Sequence, residues 1–171
     1  MRQIQLLAIA TFLSILVGGG IYLLVEKGDI PITDSAYSPT FRTLDISTQG
    51  PVDVLVQRKN YIFREEDEYL AFWELLHGND PGARRAPLVS FARESVIAVM
   101  GGVHRSGGYD IIIENISETP DERLIEILIT SPSSECSVAS VLTNPYHMIV
   151  LKKTDKSLRA VDRTEVYSCE E

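Results

Sequence analysis

The chain has 171 residues, 44% of them apolar, and a formal net charge of −8 at pH 7. That length supports one domain with its own core and falls short of two, and so acidic a surface excludes nucleic acid or an anionic lipid as the main partner. The cysteines Cys136 and Cys169 lie in no CxxC or CxH pattern and His77, His104 and His147 are widely spaced, so no metal site and no cofactor is expected.

Residues 6–25 carry no charge, and a helix needs roughly 20 residues to cross a bilayer. Arg2 precedes the run and Glu26 follows it, which orients the N-terminus inward. The expectation is a transmembrane signal anchor over 1–26 that holds the rest of the chain at the outer face of the cell membrane in a single pass. Gly18, Gly19 and Gly20 offer an alternative, signal cleavage and secretion, which would leave the apolar segment 21–25 as a new N-terminus. No cysteine is present there to take a lipid. Residues 27–40 mix Gly, Pro, Ser, Thr and Asp without periodicity and read as a polar spacer, with the exported domain at 41–171.

Alternation over 41–47 and again at Val52, Val54 and Val56, with Gly50-Pro51 between, predicts two strands. Tyr69, Phe72, Trp73 and Leu76 then recur at helical spacing. Glu65, Glu66, Asp67 and Glu68 crowd the positive end of the helix dipole and Gly78 stops it, so a helix is predicted over 65–77 with Trp73 as its core anchor. After a loop near 79–86 come the β-branched runs SVIAVMGGV, YDIIIENI, RLIEILIT and YHMIVLKK, and a last edge strand near 159–167. The fold class is mainly β, an antiparallel sandwich or barrel with one amphipathic helix, besides the transmembrane helix.

Two stretches stand out for function. In GGVHRSGGYD, residues 101–110, the glycines permit positive φ and read first as a hairpin turn between strands. The functional alternative is a presented loop carrying His104, Arg105, Ser106, Gly107, Gly108 and Tyr109. No helix or Lys-Ser pair follows to make a phosphate cradle, and Ser106, His104 and Asp110 lack the elbow and oxyanion hole of a hydrolase, so no catalytic residue is expected. The second stretch contains Thr143, Pro145 and Tyr146, where the proline sets the conformation leading into a strand. The acidic cluster at 65–68 fans around a helix and reads as solvated rather than as a cation site. Asn115-Ile116-Ser117 is an acceptor sequon. An exported Cys136 and Cys169 could pair, tying down the C-terminus.

The order FWELL, PLVSFARESVIAVMGG, SGGYDIII and LTNPYHMIVLKK resembles the PrcB-like family, named for the C-terminal domain of a protease-complex subunit, over about residues 55–155. Ser106 stands where that family usually has threonine. The resemblance implies an exported, noncatalytic, β-rich module that assists a surface protease assembly, with a protein partner and no catalytic residues to carry over. The SGGY turn also resembles one loop of the chagasin-type cysteine protease inhibitors, without their other loops, which makes an inhibitor the runner-up. A glycan-binding module using Trp73, Tyr109 and Tyr146 is a third possibility.

Overall fold

The computed structural model describes residues 37–78 and 84–169, within a compact unit spanning Ala36–Glu171. The predicted anchor over 1–26 and the spacer up to residue 36 lie outside the described residues, as do residues 79–83 of the predicted loop. Among the described residues, no helix is long and apolar enough to cross a membrane.

Among the described residues, seven strands, β1 (Phe41–Ser47), β2 (Lys59–Phe63), β3 (Glu94–Met100), β4 (Asp110–Glu118), β5 (Glu122–Pro132), β6 (Tyr146–Lys152) and β7 (Ser157–Tyr167), accompany one helix, α1 (Glu66–His77). They form a four-stranded sheet in the order β1-β6-β3-β2 and a three-stranded sheet in the order β4-β5-β7. The middle strands β3 and β6 explain the layering. Val96, Ile97, Ala98, Val99 and Met100 are all buried, as are the six residues from Tyr146 to Leu151, so both faces of this pair are covered. One face packs Val96, Ala98, Met100, Tyr146, Met148 and Val150 against Tyr69, Phe72 and Trp73 of the helix. The other packs Ile97, Val99, Ile149 and Leu151 against the isoleucines of β4 and β5. A continuous apolar run, rather than an alternating one, is what a strand buried on both faces needs.

Several expectations need correction. Neither sheet closes, so the sandwich is open and no barrel forms. The pairing is mixed, because β5 and β7 run parallel along their whole length. They can do so because β6, which lies between them in sequence, belongs to the other sheet. The alternating valines near 52–56 are not a strand: Val52, Val54 and Val56 are exposed and Leu55 is buried. That segment's carbonyls are drawn elsewhere, since the buried Asn144 Nδ2 donates to Pro51 O at 2.5 Å and Leu55 O at 2.8 Å, and Val103 N donates to Val56 O. The strand falls later, at β2, whose polar start hid it. Residues 101–110 are not a hairpin either. Both edges of β3 are taken by β2 and β6, so β4 cannot pair with it and the chain must cross to the second sheet.

Two of the buried polar groups, His147 and Asp45, find partners beside backbone bulges. The register slips between Thr43 and Asp45 in β1 and between Ile113 and Asn115 in β4. His147 joins the two sites: Ile113 N donates to its Nδ1 at 2.9 Å, which leaves the proton on Nε2 to donate to Thr43 Oγ1 at 2.8 Å. Past the β1 bulge, the buried Asp45 carboxylate accepts from Tyr146 Oη at 2.7 Å and from Arg84 at 2.6 Å. His77 Nε2 stands 2.9 Å from the same carboxylate.

Burial pushes the pKa of His147 down, with the Asp110 charge opposing, so the folded state holds the ring neutral. The unfolded ring titrates near about 6.5. The contribution of a neutral His147 is therefore complete above that value and is lost as pH falls from it through the lower folded pKa. Thermal melts from pH 7.5 to 5 should show a falling midpoint, and His147→Gln should flatten that slope; an equal slope in the variant would refute the assignment.

Candidate functional site

The two predicted stretches, 101–110 and 143–146, meet on one structural feature. Beyond Met100 and Tyr146 the β3–β6 pairing continues as a narrow ribbon of residues 101–107 against 139–145. Gly101 N donates to Pro145 O at 2.7 Å, His104 and Thr143 exchange both backbone hydrogen bonds, and Gly107 N donates to Ala139 O at 2.8 Å. The Thr143 hydroxyl adds a bond to Ser106 O at 2.8 Å. Close backbone approach accounts for Gly101, because a Cβ there would lie 2.7 Å from Pro145 Cγ.

The ribbon separates the predicted residues into two roles. Thr143, Pro145 and Tyr146 are buried, so they build the ribbon and present nothing to a partner. Tyr146 is held neutral, its pKa raised first by burial and then by its hydrogen bond to Asp45 and that residue's charge. Trp73 is also buried and donates its indole N–H to Arg84 O at 2.7 Å. With Trp73 and Tyr146 both in the core, no aromatic platform for a sugar exists on them.

His104 and Tyr109 are half-buried and reach the surface only in part, their rings stacked at 3.8 Å between centroids and 7° apart. Burial lowers the pKa of His104, against a backbone hydrogen bond at Gly101 that favours the charged ring, so the histidine is held towards its neutral form. Arg105 is exposed beside it. Val141 and Leu142, 43% and 50% exposed, flank the same ribbon from the opposite segment. Sequence reasoning missed these two, and their only signal was an apolar pair in a Ser-rich stretch with no strand to bury it. An aromatic pair, an arginine and exposed aliphatics on a rigid backbone match the composition of protein-contact surfaces.

No hydrogen bond among the described residues joins the side chains of His104, Ser106 and Asp110, whose carboxylate instead accepts from Ile111 N. His77, His104 and His147 lie in three separate places: in the last turn of the helix, on the ribbon and in the sandwich. The acidic residues 66–68 form the first turn of α1. Asn115 of the sequon is exposed on β4, its amide donating to Glu126 at 2.6 Å.

The far end of the ribbon is tied to the C-terminus. Cys136 and Cys169 are joined as a disulfide with their Cα atoms 5.2 Å apart. Tyr167 Oη donates to Gly108 O at 3.0 Å, and Ser133 N to Tyr167 O.

The two glycines of the turn differ. Gly108 has φ of 90°, and a Cβ there would meet Tyr167 Oη at 2.7 Å, whereas a Cβ on Gly107 would find its nearest neighbour at 3.7 Å. Gly108→Ala should therefore lower stability by about 1–2 kcal/mol while Gly107→Ala changes it by less than about 0.5 kcal/mol. Denaturant titration of both variants checks this, and equal losses would contradict it.

No curated protein and no solved structure matches the chain. Residues 95–152 do match the profile of a family described as PrcB C-terminal, so the stretch that runs from β3 through the ribbon to β6 is PrcB-like.

Proposed function

We propose that the chain is a noncatalytic assembly module that binds a secreted or surface protease through the ribbon surface of His104, Arg105, Tyr109, Val141 and Leu142. The observation that carries this reading is the ribbon itself. It holds an aromatic pair, a cation and two exposed aliphatics on a backbone locked by hydrogen bonds, inside the segment that matches the PrcB C-terminal family. The uncharged run at 6–25 supports a location at the outer face of the membrane, with the domain outside.

The inhibitor alternative needs a loop that protrudes into a protease cleft. Here Ser106, Gly107 and Tyr109 are half-buried and Gly107 is bonded to Ala139, so the turn offers a flat surface rather than a plug.

Arg105→Glu combined with Leu142→Asp should abolish co-purification of the protease with the full-length chain while leaving the melting temperature within a few degrees. An unchanged protease yield would overturn the reading, and slowing of a papain-like protease by the purified chain would favour the inhibitor. For the location, protease added outside spheroplasts should degrade the domain without lysis; full protection until lysis would place it inside.

A further inference from the structure

The two seams of the open sandwich are unlike. At one, β1 and β4 are both bulged, and Tyr37 and Glu118 exchange backbone hydrogen bonds beside β4. Bulges and covering segments are the usual protection of a strand edge. At the other, β7 runs for 11 residues in unbroken register with β5, contains no proline, and has no backbone partner on its outer edge among the described residues. Nearly all of it is exposed, Val161 at 43% and Val166 at 65%. A crevice of about 210 Å³ opens beside this edge, lined by Ile62, Ile97, Val99, Ile125, Leu158 and Ala160 among others. So long and flat an edge next to an unfilled apolar gap calls for another strand.

We infer that the β7 edge is where a second copy of this chain docks, the two β7 strands pairing antiparallel about a twofold axis to join the three-stranded sheets into one of six strands. Charge selects both the occupant and the register. Leu158 and Ala160 face the crevice, so by alternation Asp162, Thr164 and Val166 share the inner face, and Arg159, Val161, Arg163 and Glu165 the outer. A continuous sheet keeps inner residues opposite inner ones, so registers can differ only by steps of two. With Asp162 on the axis all 11 residues of each strand overlap, and Arg159 lies opposite Glu165 of the second copy, twice by symmetry. Slipping one way sets Arg159 opposite Arg163, and slipping the other sets Arg163 opposite itself; within each copy Arg159 already pairs with Glu122 and Arg163 with Glu114, so what both neighbours forfeit is the two Arg159–Glu165 pairs, with no opposite-charge pair gained.

The chosen register also matches the apolar residues, because Leu158 of each copy meets Val166 of the other at the mouth of the crevice. The two Asp162 carboxylates on the axis are each neutralised by a two-point ion pair from Arg58, at 2.6 and 3.1 Å. An isologous contact of this kind closes on itself and leaves no free β7 edge to propagate.

Sedimentation velocity on the full-length chain in detergent micelles tests the proposal. The wild type should form a dimer. Arg159→Glu alone and Glu165→Arg alone should each weaken it about tenfold by opposing like charges, and the double swap should restore it. Restoration separates the strand pairing from association through the N-terminal segment and from simple misfolding of a single variant. A monomeric wild type, whether or not another polypeptide binds the edge, overturns the inference, as does a dimer that neither single swap weakens or that the double swap fails to recover.

Discussion

The antiparallel pairing of β3 with β6 is the constraint on which the rest of this domain depends. Side chains on both faces of that pair are shielded from water, so the domain needs a cover on each side, and the helix and the second sheet are those covers. At roughly 1.5–3 kcal/mol for each large aliphatic side chain removed from water, a two-sided strand pair contributes more per residue than any other element here. Occupying both edges of β3 has a second effect. It forces the following segment out of the sheet and across to β4, which turns a stretch that resembles a hairpin into a supported ribbon.

Most polar groups admitted into this interior are held by specific partners, although Asn144 Oδ1 and His77 Nε2 are buried without a hydrogen bond among the described residues. Asn144 donates two hydrogen bonds to the loop before β2, Asp45 gathers Tyr146 and Arg84, and the buried Arg123 donates to Lys152 O and pairs with Glu118. Leaving such a group unpaired would cost about 1–3 kcal/mol or more, so each partner set defines one arrangement of its segments. Because Asn144 and Thr143 lie at the base of the ribbon, the same bonds that satisfy buried groups also hold the surface pair His104 and Tyr109 in place. Rigidity of the ribbon is thus a by-product of satisfying buried groups, and in the proposed assembly role it would lower the ordering cost of binding.

The disulfide acts on the same region from the other side. By closing a separation of 33 residues it restricts the unfolded chain, a stabilisation of about 3–4 kcal/mol in the entropic picture, and it pins the end of β7 beside the ribbon. One seam of the sandwich is finished with bulges and backbone bonds, and at the other the outer edge of β7 has no backbone partner among the described residues. The ribbon tip and the β7 edge are two separate parts of the domain's surface.

The elements with a strong one-dimensional signal were legible from residue order alone: the helix from its 3.6-residue apolar spacing and Gly78, and β3, β4, β5 and β6 from their β-branched runs. Order also singled out both stretches of the site. It could not show that they touch, because His104 and Thr143 are 39 positions apart and meet only through the β3–β6 pairing. For the same reason Thr143 and Tyr146 looked equivalent to His104 and Tyr109 until burial separated the framework from the surface. The valines at 52–56 misled because alternation reports a period of two and says nothing about whether a partner strand is free to receive it. Sheet membership, the parallel β5–β7 pair, the seams and the company kept by Asp45 and His147 are all contacts between distant segments, and only packing in three dimensions decides those.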